Sequence, residues 1–306
     1  MNDGRELGND VLKGVSRSFY LSLRLLPAPM RRPAGIAYLL ARASDTIADS
    51  AILPAAERMA FLDLHARQVA GRAEPAPWPH HLIEGTPDPK EKRLLENHTS
   101  ILETLREIDP APLALIREVL DTIISGQKLD LERFGNASSQ NIIALPDVVA
   151  LDDYTWRVAG CVGEFWTKLG YATLSDHFSK APREEMLKLA AEYGRGLQLV
   201  NILRDLPADL RAGRCYLPVN DPGDEARLMA VFSEWREIAV RRVGSGLEYS
   251  KALRSKRLRV ASSLPAWIGL ETLALLKNAS LREIGKGIRI PRSRVYSLLI
   301  GAFLRG

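Results

Sequence analysis

The sequence predicts an all-α fold, and three observations support that prediction. Apolar residues recur three and four positions apart over most of the chain, as Leu39 and Leu40 do after Ile36, which places their side chains on one helix face. Stretches of useful length that alternate apolar and polar residues, as half-buried strands do, are missing. The segments between the periodic regions are rich in proline, glycine and polar residues. We therefore expect one domain, residues 1–306, built from about ten helices.

The periodicity places the main helices in order along the chain. They are expected at 32–50, 55–71, 113–134, 151–170, 183–204, 226–253 and 264–277. The clearest break lies at residues 72–90, where five prolines disfavour regular helix. Shorter loops are expected at 135–146 and 218–224.

The composition is that of a globular protein. Hydrophobic residues make up 46% of the 306 residues, which is enough for a large core. No run approaches the roughly 18 consecutive apolar residues that cross a bilayer, and the first residues show no apolar signal segment. We therefore expect a cytoplasmic protein. The two cysteines, Cys161 and Cys215, lie far apart and favour buried thiols over a disulfide or a metal site.

The positive charge is concentrated at the C-terminal end. Residues 251–306 contain twelve Lys and Arg but only two acidic residues, a net charge of +10 in a chain whose net charge is +5. Such a segment suits an anionic membrane surface, a nucleic acid, a polyanionic substrate or simply a solvated helix face. A nucleic-acid partner is not expected, because no known binding module is recognisable. The stretch 282–305 combines apolar residues with flanking arginines, so we expect it to contact an anionic membrane peripherally.

Two acidic residues, Asp45 and Asp49, are spaced four apart in the predicted helix 32–50. Four residues advance an α-helix by about 6 Å and turn it by about 40°, so both carboxylates point to the same side. Like charges at this spacing repel each other unless a cation lies between them. Arg42 lies three residues earlier. We refer to Asp45 and Asp49 together as the first ladder.

A second ladder of oxygen ligands, Asn201, Asp205 and Asp209, has the same spacing. Gln198 precedes it on nearly the same face, and Arg204 adjoins Asp205. A single pair of this kind is more often a solvated surface. Two such ladders, each beside an arginine, predict Mg²⁺ held by carboxylates together with substrate phosphates.

Other local features are less specific. Ser16, Arg17 and Ser18 could bind a diphosphate near a helix start, or could serve only as an ordinary helix cap. Gly160 and Gly163 lie inside a predicted helix, where glycine is unfavourable. Their presence indicates close approach of either another helix or a bulky ligand. The sequence contains no zinc-binding histidine spacing, P-loop, GxGxxG or GxSxG motif.

Taken together, these residues resemble the head-to-head trans-isoprenoid synthases, the family of squalene, dehydrosqualene and phytoene synthases. The matching positions, in the family's order, are Ser16 to Phe19, Tyr38, Arg42, Asp45 and Asp49, Tyr154 with Val158 to Gly160, Gln198 to Asp205, and Arg214 to Pro218. The resemblance implies a single-domain helical bundle with a central active-site cavity. Ala208 departs from the family, in which many members have an acidic residue before the last aspartate.

The resemblance also implies roles for individual residues. Mg²⁺ would be bound by Asp45, Asp49, Asn201, Asp205 and Asp209. Prenyl diphosphate would be contacted by Ser16, Arg17, Ser18, Phe19, Tyr38, Arg42, Gln198, Arg204 and Tyr249. Tyr154 would receive or relay a proton in the first half-reaction. Lys251, Arg254, Lys256 and Arg257 are candidates for contacts to the phosphates of NADPH.

The implied reaction joins two farnesyl diphosphates through presqualene diphosphate to squalene, with Mg²⁺ and NADPH. The segments around Val158 and Arg204 look closest to bacterial squalene synthases. Three alternatives stay open: a dehydrosqualene or phytoene synthase that needs no reductant, an enzyme that stops at presqualene diphosphate or an alcohol, and an inactive scaffold with the same fold. The expected location is the cytoplasm, in peripheral contact with the inner membrane face.

Overall fold

Helices account for most of the residues that the computed structural model describes, 11–15 and 19–305. The predicted all-α class is confirmed. Residues 11–15 are helical. The helices that follow are α1 (Phe19–Leu25), α2 (Ala28–Ala48), α3 (Ala55–Val69), α4 (His80–Glu84), α5 (Pro89–Glu96), α6 (His98–Arg106), α7 (Pro110–Phe134), α8 (Val148–Thr155), α9 (Cys161–Leu174), α10 (Arg183–Arg211), α11 (Glu225–Ala252), α12 (Lys256–Leu276), α13 (Leu281–Gly285) and α14 (Arg292–Arg305). A π-helical segment, Trp156–Gly160, separates α8 from α9, and a 3₁₀ turn, Ser175–His177, follows α9.

Prolines inside three helices explain the largest errors in the predicted bounds. Helices α2, α10 and α12 run through Pro33, Pro207 and Pro265, whereas the expected helices began or ended near these residues. A proline within a helix removes one backbone hydrogen bond and costs about 3 kcal/mol. Burial of the neighbouring apolar side chains offsets that cost; beside Pro207, for example, Leu203 and Leu206 are buried.

The proline-rich segment 72–90 was wrongly expected to be free of helix. Pro79 directly precedes α4, and Pro89 is the first residue of α5. Proline suits these positions because the first N–H groups of a helix have no partner within it. At α5, the side chain of Asp88 also accepts a hydrogen bond from the Lys90 backbone N–H at 2.8 Å.

Two short strands, β1 (Ile143–Ala144) and β2 (Arg214–Cys215), pair in parallel with Ile143 opposite Arg214. They connect the loop before α8 with the chain after α10. Cys161 and Cys215 are both buried thiols that are not joined in a disulfide, as expected.

Residues Met1–Leu131 and Lys168–Ser175 form one compact unit. In its described part, α2 packs against α1, α3, α5 and α6. Leu40 and Ile47 of α2 are fully buried, and burying a side chain of this size contributes about 1.5–3 kcal/mol. One face of α2 therefore packs in the core, whereas Asp45 and Asp49 of the first ladder lie on a face that is at least partly exposed.

The core of this unit also contains two neutral histidines. His65 and His98 are fully buried, and Nδ1 of His65 lies 2.9 Å from Nε2 of His98. Nε2 of His65 lies 3.0 Å from the carbonyl oxygen of Leu40, which can only accept a hydrogen bond. His65 therefore carries its proton on Nε2 and accepts from His98 at Nδ1. The ring of Trp78 packs 4.7 Å from that of His98.

Residues Glu132–Thr167 and Asp176–Gly306 form a second compact unit. Its central helix is α10, which packs against α8, the π segment, α11, α12 and α13. Leu199 and Leu203 of α10 are fully buried, as are Ala239 and Val243 of α11. The expectation of a single domain over residues 1–306 stays a prediction.

Glycines let the helices of this second unit approach closely. A Cβ on Gly163 would lie 2.1 Å from the backbone oxygen of Ala190, and one on Gly194 would lie 2.2 Å from that of Ala159. Neither position can take a side chain unless the backbone moves. The glycine at position 163 is thus explained by contact with α10, the first of the two explanations that the sequence left open.

Candidate active site

The first ladder lies at the C-terminal end of α2. Asp45 is on the helix, and Asp49 is the residue that caps it. The Asp49 backbone N–H donates to the carbonyl oxygen of Asp45 at 2.8 Å, so the one-turn spacing expected from the sequence is present. Tyr38 and Arg42 precede Asp45 on the same helix, and the Tyr38 hydroxyl donates to the backbone oxygen of Val15 at 3.2 Å.

The Asp45 carboxylate has a nitrogen donor near each oxygen. Nε2 of Gln127 donates to Oδ1 at 2.7 Å, and Nη1 of Arg42 lies 3.7 Å from Oδ2. Desolvation by the surrounding protein raises the pKa of Asp45 to about 7, and the charge of Asp49 adds to the rise, whereas Arg42 opposes it. The side chain still keeps 45% of its surface exposed, so a cation can reach the carboxylate.

Arg42 also pairs with Glu91 of α5, which the sequence did not indicate. Burial disfavours the charged guanidinium, but Glu91 and Asp45 outweigh that effect and raise the pKa of Arg42. The side chain is therefore held charged beside the ladder, where it can contact an anionic group. Glu91 fixes its orientation.

The second ladder stands on one continuous helix, α10. Asn201 is exposed, and its Nδ2 lies 3.4 Å from Oε1 of Gln198. Arg204 binds both carboxylate oxygens of Asp205, through Nε at 2.8 Å and Nη2 at 2.5 Å. This hydrogen bonding raises the pKa of Arg204.

Asp209 ends the second ladder and pairs with an arginine outside it. Its Oδ1 lies 3.2 Å from Nη2 of Arg214, the first residue of β2. The side chain of Asp209 is 15% exposed, compared with 49% for Asp205. Water and a ligand therefore reach Asp205 more readily than Asp209.

Tyr154 is at the end of α8 and stacks on another tyrosine. It is 8% exposed, and its ring lies 4.8 Å from that of Tyr216 at an interplanar angle of 22°. Tyr216 contacts Phe134 edge to face at 5.2 Å. Offset aromatic contacts of this kind restrict the movement of each ring. The structure therefore holds Tyr154 in a fixed, mostly apolar environment.

An ion-pair network fixes the helix that carries Tyr154. Asp152 of α8 receives Nη2 of Arg242 at 2.5 Å and Nη1 of Arg195 at 3.2 Å. Nε of Arg242 also lies 3.0 Å from Oε2 of Glu192. The network joins α8, α10 and α11, so the position of Tyr154 depends on three helices.

The remaining predicted residues have varied surroundings. Ser16, Arg17 and Ser18 lie outside the described residues, and Phe19 is the first residue of α1. Tyr249 is 2% exposed, and its hydroxyl lies 2.9 Å from that of Thr167, so it is part of the packed interior. Its role in binding diphosphate stays a prediction.

Among the candidates for NADPH contacts, one side chain has a structural partner. Nε of Arg254 donates to the backbone oxygen of Ser179 at 3.0 Å. Lys251, Lys256 and Arg257 are exposed near the junction of α11 and α12.

Neither ladder forms a complete metal site by itself. Among the described residues, no three His, Cys, Asp or Glu side chains are grouped closely enough to hold a metal ion. The donors present are carboxylate and amide oxygens, which Mg²⁺ prefers, and Mg²⁺ commonly uses one or two carboxylates with waters and substrate phosphates. The donor set thus fits Mg²⁺ that is bound together with a diphosphate.

Two residues of this site, Glu91 and Gln127, were missed in the sequence. Gln127 could have been found, because it continues the apolar series Ile116, Leu120 and Ile123 on the buried face of α7. A polar residue on such a face needs a buried partner. Glu91 gives no comparable signal, since it follows a segment read as loop and meets Arg42 only through the tertiary fold.

The fold and the site define an all-α protein with two ladders of oxygen ligands, each accompanied by arginine. A family model, squalene/phytoene synthase, matches residues 12–295. The chain belongs to the squalene/phytoene synthase family.

Curated relatives of known activity show the range of this family. The chain is 32% identical over 204 residues to a presqualene diphosphate synthase from Rhodopseudomonas palustris, covering 67% of this chain and 59% of that protein. It is 25% identical over 288 residues to squalene synthase BSS from Botryococcus braunii, covering 88% of this chain and 58% of that protein. The chain thus spans less than two thirds of the length of these relatives.

Solved structures support the fold. TcSQS in complex with a ligand superimposes with a TM-score of 0.80 at 22% identity, covering 100% of this chain and 89% of that one. A dehydrosqualene synthase in complex with a ligand gives a TM-score of 0.66 at 20% identity, covering 99% and 96%. In the described residues, no helix is both long and apolar enough to cross a bilayer.

Proposed function

We propose that this protein joins two farnesyl diphosphates head to head, forms presqualene diphosphate and reduces it to squalene with NADPH. The observation that carries the proposal is the pair of ladders, each with an arginine beside it. Asp45 with Arg42 and Asp205 with Arg204 supply the acidic and basic groups that an enzyme acting on diphosphates needs.

Binding and departure of diphosphate follow from these groups. Mg²⁺ would be bound at Asp45 and Asp49 of the first ladder, and at Asn201, Asp205 and Asp209 of the second, and would neutralise a leaving diphosphate. Arg42 and Arg204 are both charged and would orient its oxygens. The bond between C1 of one farnesyl group and its diphosphate oxygen breaks, and the diphosphate leaves with the electron pair.

Ring closure requires a proton acceptor in an environment that excludes water. The C2–C3 double bond of the second substrate attacks the allylic cation, and loss of a proton then closes a cyclopropane to give presqualene diphosphate. Tyr154 is proposed to receive or relay that proton through its phenol oxygen. Its contact with Tyr216, and that of Tyr216 with Phe134, keep water from this side of the ring, and water would otherwise trap the cation as an alcohol.

The second half-reaction needs a reductant. NADPH would supply a hydride to the cation that forms after the second diphosphate leaves. We propose Lys251, Lys256 and Arg257 for contacts to its phosphates, because all three are exposed and basic.

A second candidate function ends at presqualene diphosphate. It is favoured by the 204-residue similarity to the presqualene diphosphate synthase of Rhodopseudomonas palustris. This function uses the same ladders and Tyr154 but no reductant.

Product analysis separates the candidates. The purified protein would be incubated with farnesyl diphosphate and Mg²⁺, with and without NADPH, and the products identified by mass spectrometry. Squalene that forms only with NADPH supports the first proposal, and presqualene diphosphate under both conditions supports the second. Dehydrosqualene, or phytoene from geranylgeranyl diphosphate, would contradict both.

Substitutions of ladder residues test whether the ladders are required for product formation. Asp45→Asn and Asp205→Asn should each abolish product formation, whereas Asp176→Asn, an exposed aspartate in the 3₁₀ turn, should not. If both ladder variants keep wild-type activity, the proposed role of the ladders is wrong. If the wild-type protein is inactive with both substrates, the scaffold alternative gains support.

We also propose that α14 rests on an anionic membrane. Tyr296, Ile300 and Phe303 occur four and three residues apart, so they share one helix face, and they are 60%, 61% and 37% exposed. Leu298 and Ala302 are buried on the other side, and α14 packs on α12.

Charge near this helix favours an anionic surface. Arg282, Lys286 and Arg289 are exposed shortly before α14. An exposed apolar face accompanied by basic residues is typical of helices that lie at a membrane interface. An apolar product such as squalene would enter the lipid directly from a protein held there. The corresponding location is peripheral, at the inner membrane face.

Vesicle sedimentation tests the membrane contact. Ile300→Glu should reduce binding to vesicles that contain phosphatidylglycerol by about tenfold, because the burial of one large apolar side chain is lost. Ile52→Glu is the matched control, since Ile52 is 56% exposed but lies outside α14. Equal binding of the wild type to neutral and anionic vesicles, or equal loss in both variants, would contradict the proposal.

A further inference from the structure

Gln127 is a buried amide on α7 whose two ends have different surroundings. The side chain is 8% exposed, and its Nε2–H group donates to Oδ1 of Asp45 at 2.7 Å. Its Oε1 atom is shut off from solvent, and no donor among the described residues reaches it. A buried carbonyl oxygen without a donor is uncommon, because it has lost its hydrogen bonds to water and gained none.

The ionised form of Asp45 determines the orientation of this amide. If Gln127 were turned over, its carbonyl oxygen would face a carboxylate oxygen, and both atoms accept hydrogen bonds. The second oxygen of Asp45 faces Arg42 at 3.7 Å. The carboxylate is therefore held from two sides, by one donor on α7 and by another on its own helix.

We propose that Gln127 is a positioning residue for Mg²⁺ at the first ladder: its Nε2–H holds the carboxylate of Asp45 in the orientation in which it would bind the cation. This inference rests on the proposed function, which places Mg²⁺ and a diphosphate at Asp45 and Asp49. Gln127 acts through the cation and its ligand, so its loss affects the affinity for the cation.

The chain contains a matched control for this residue. Gln68 is also a buried glutamine, 4% exposed, and its Nε2 donates to the backbone oxygen of Glu74 at 3.1 Å. Its Oε1 likewise has no hydrogen-bond partner among the described residues. Gln68→Met therefore removes the same atoms as Gln127→Met, but away from the aspartates of the ladder.

The experiment measures binding by isothermal titration calorimetry, with preformed magnesium pyrophosphate as the probe and the 306-residue protein in the sample cell. Gln127→Met should weaken binding by about tenfold or more, as is typical when a residue behind a metal ligand is lost. Gln68→Met should bind as the wild type does. If Gln127→Met binds within twofold of the wild type, the inference is wrong. If the wild type itself does not bind, the proposed function loses its metal site before Gln127 is tested.

A charged variant keeps the test decisive if Gln127→Met folds poorly. Gln127→Glu retains an acceptor and adds a negative charge beside Asp45. It should lower the Tm in the absence of metal, and magnesium pyrophosphate should then raise the Tm by more than it does in the wild type. A purely structural role of Gln127 predicts the same rise for both proteins and would overturn the inference.

Discussion

Acid should destabilise this protein through its buried histidine pair. Burial lowers the pKa of His65 to about 4 and, together with the proximity of His65, that of His98 to about 2. In the unfolded chain both would titrate near the ordinary value of about 6.5. Below that pH the unfolded state binds more protons than the folded state, so the free energy of unfolding falls as the pH decreases from about 6.5 toward 4.

The magnitude follows from the unfolded state. At pH 5 both histidines remain neutral in the folded protein, whereas each is almost fully protonated when unfolded, which costs about 2 kcal/mol per histidine relative to pH 8. Between pH 6 and pH 5 the pair should therefore remove about 2 kcal/mol of stability, or about 1 kcal/mol per histidine. A typical domain has only about 5–15 kcal/mol in total.

Urea denaturation at several pH values tests this with His98→Gln. The glutamine amide can still donate to His65, but it does not titrate in this range. The variant should lose about 1 kcal/mol less than the wild type between pH 6 and pH 5. His80→Gln is the control, because the His80 side chain is 89% exposed. If His98→Gln and the wild type show the same pH dependence, the reasoning about this pair is refuted.

The remaining predictions concern the second compact unit. Gly163→Ala should lower the free energy of unfolding by about 1–3 kcal/mol, because its new Cβ would overlap the Ala190 backbone. An unchanged Tm in thermal denaturation would show that α9 and α10 do not pack this closely. Tyr154→Phe should lower kcat by about 10²-fold or more, because its hydroxyl is proposed to receive or relay the proton; an unchanged kcat in a product assay would exclude that role. Tyr249→Phe should lower Tm, because it leaves the hydroxyl of Thr167 without this hydrogen bond, and an unchanged Tm would contradict that.

The helical class and both ladders could be predicted because each depends on local spacing. Asp45 with Asp49, and Asn201 with Asp205, lie one helical turn apart, so period and ligand chemistry can both be read from the sequence. The predicted helix ends were wrong where burial of neighbouring side chains outweighed the cost of a proline inside the helix, as at Pro207.

The partners of the ladder residues could not be predicted in the same way. Gln127 and Asp45 are 82 residues apart, and Glu91 and Arg42 are 49 apart. Which side chains meet across such sequence separations depends on how α2, α5 and α7 pack. The spacing of hydrophobic residues predicts each helix but not the packing of one helix against another. Gln127 gave a partial signal as a polar residue on an apolar face, but its partner could come only from the structure.

The π segment between α8 and α9 sets the angle about the helix axis between Tyr154, which precedes it, and Gly163, which follows it. A π turn contains more residues than an α turn, whereas each residue of an α-helix turns the chain by about 100°. Deleting one residue from Trp156–Gly160 would remove the extra residue of the π turn, so the segment could return to regular α geometry with Tyr154 and Gly163 in nearly the same angular relation. Inserting one residue would instead rotate Tyr154 by about 100° relative to Gly163. Tyr154 could then no longer stack on Tyr216 while Gly163 stays against α10. A deletion of one residue in this segment should therefore be tolerated better than an insertion.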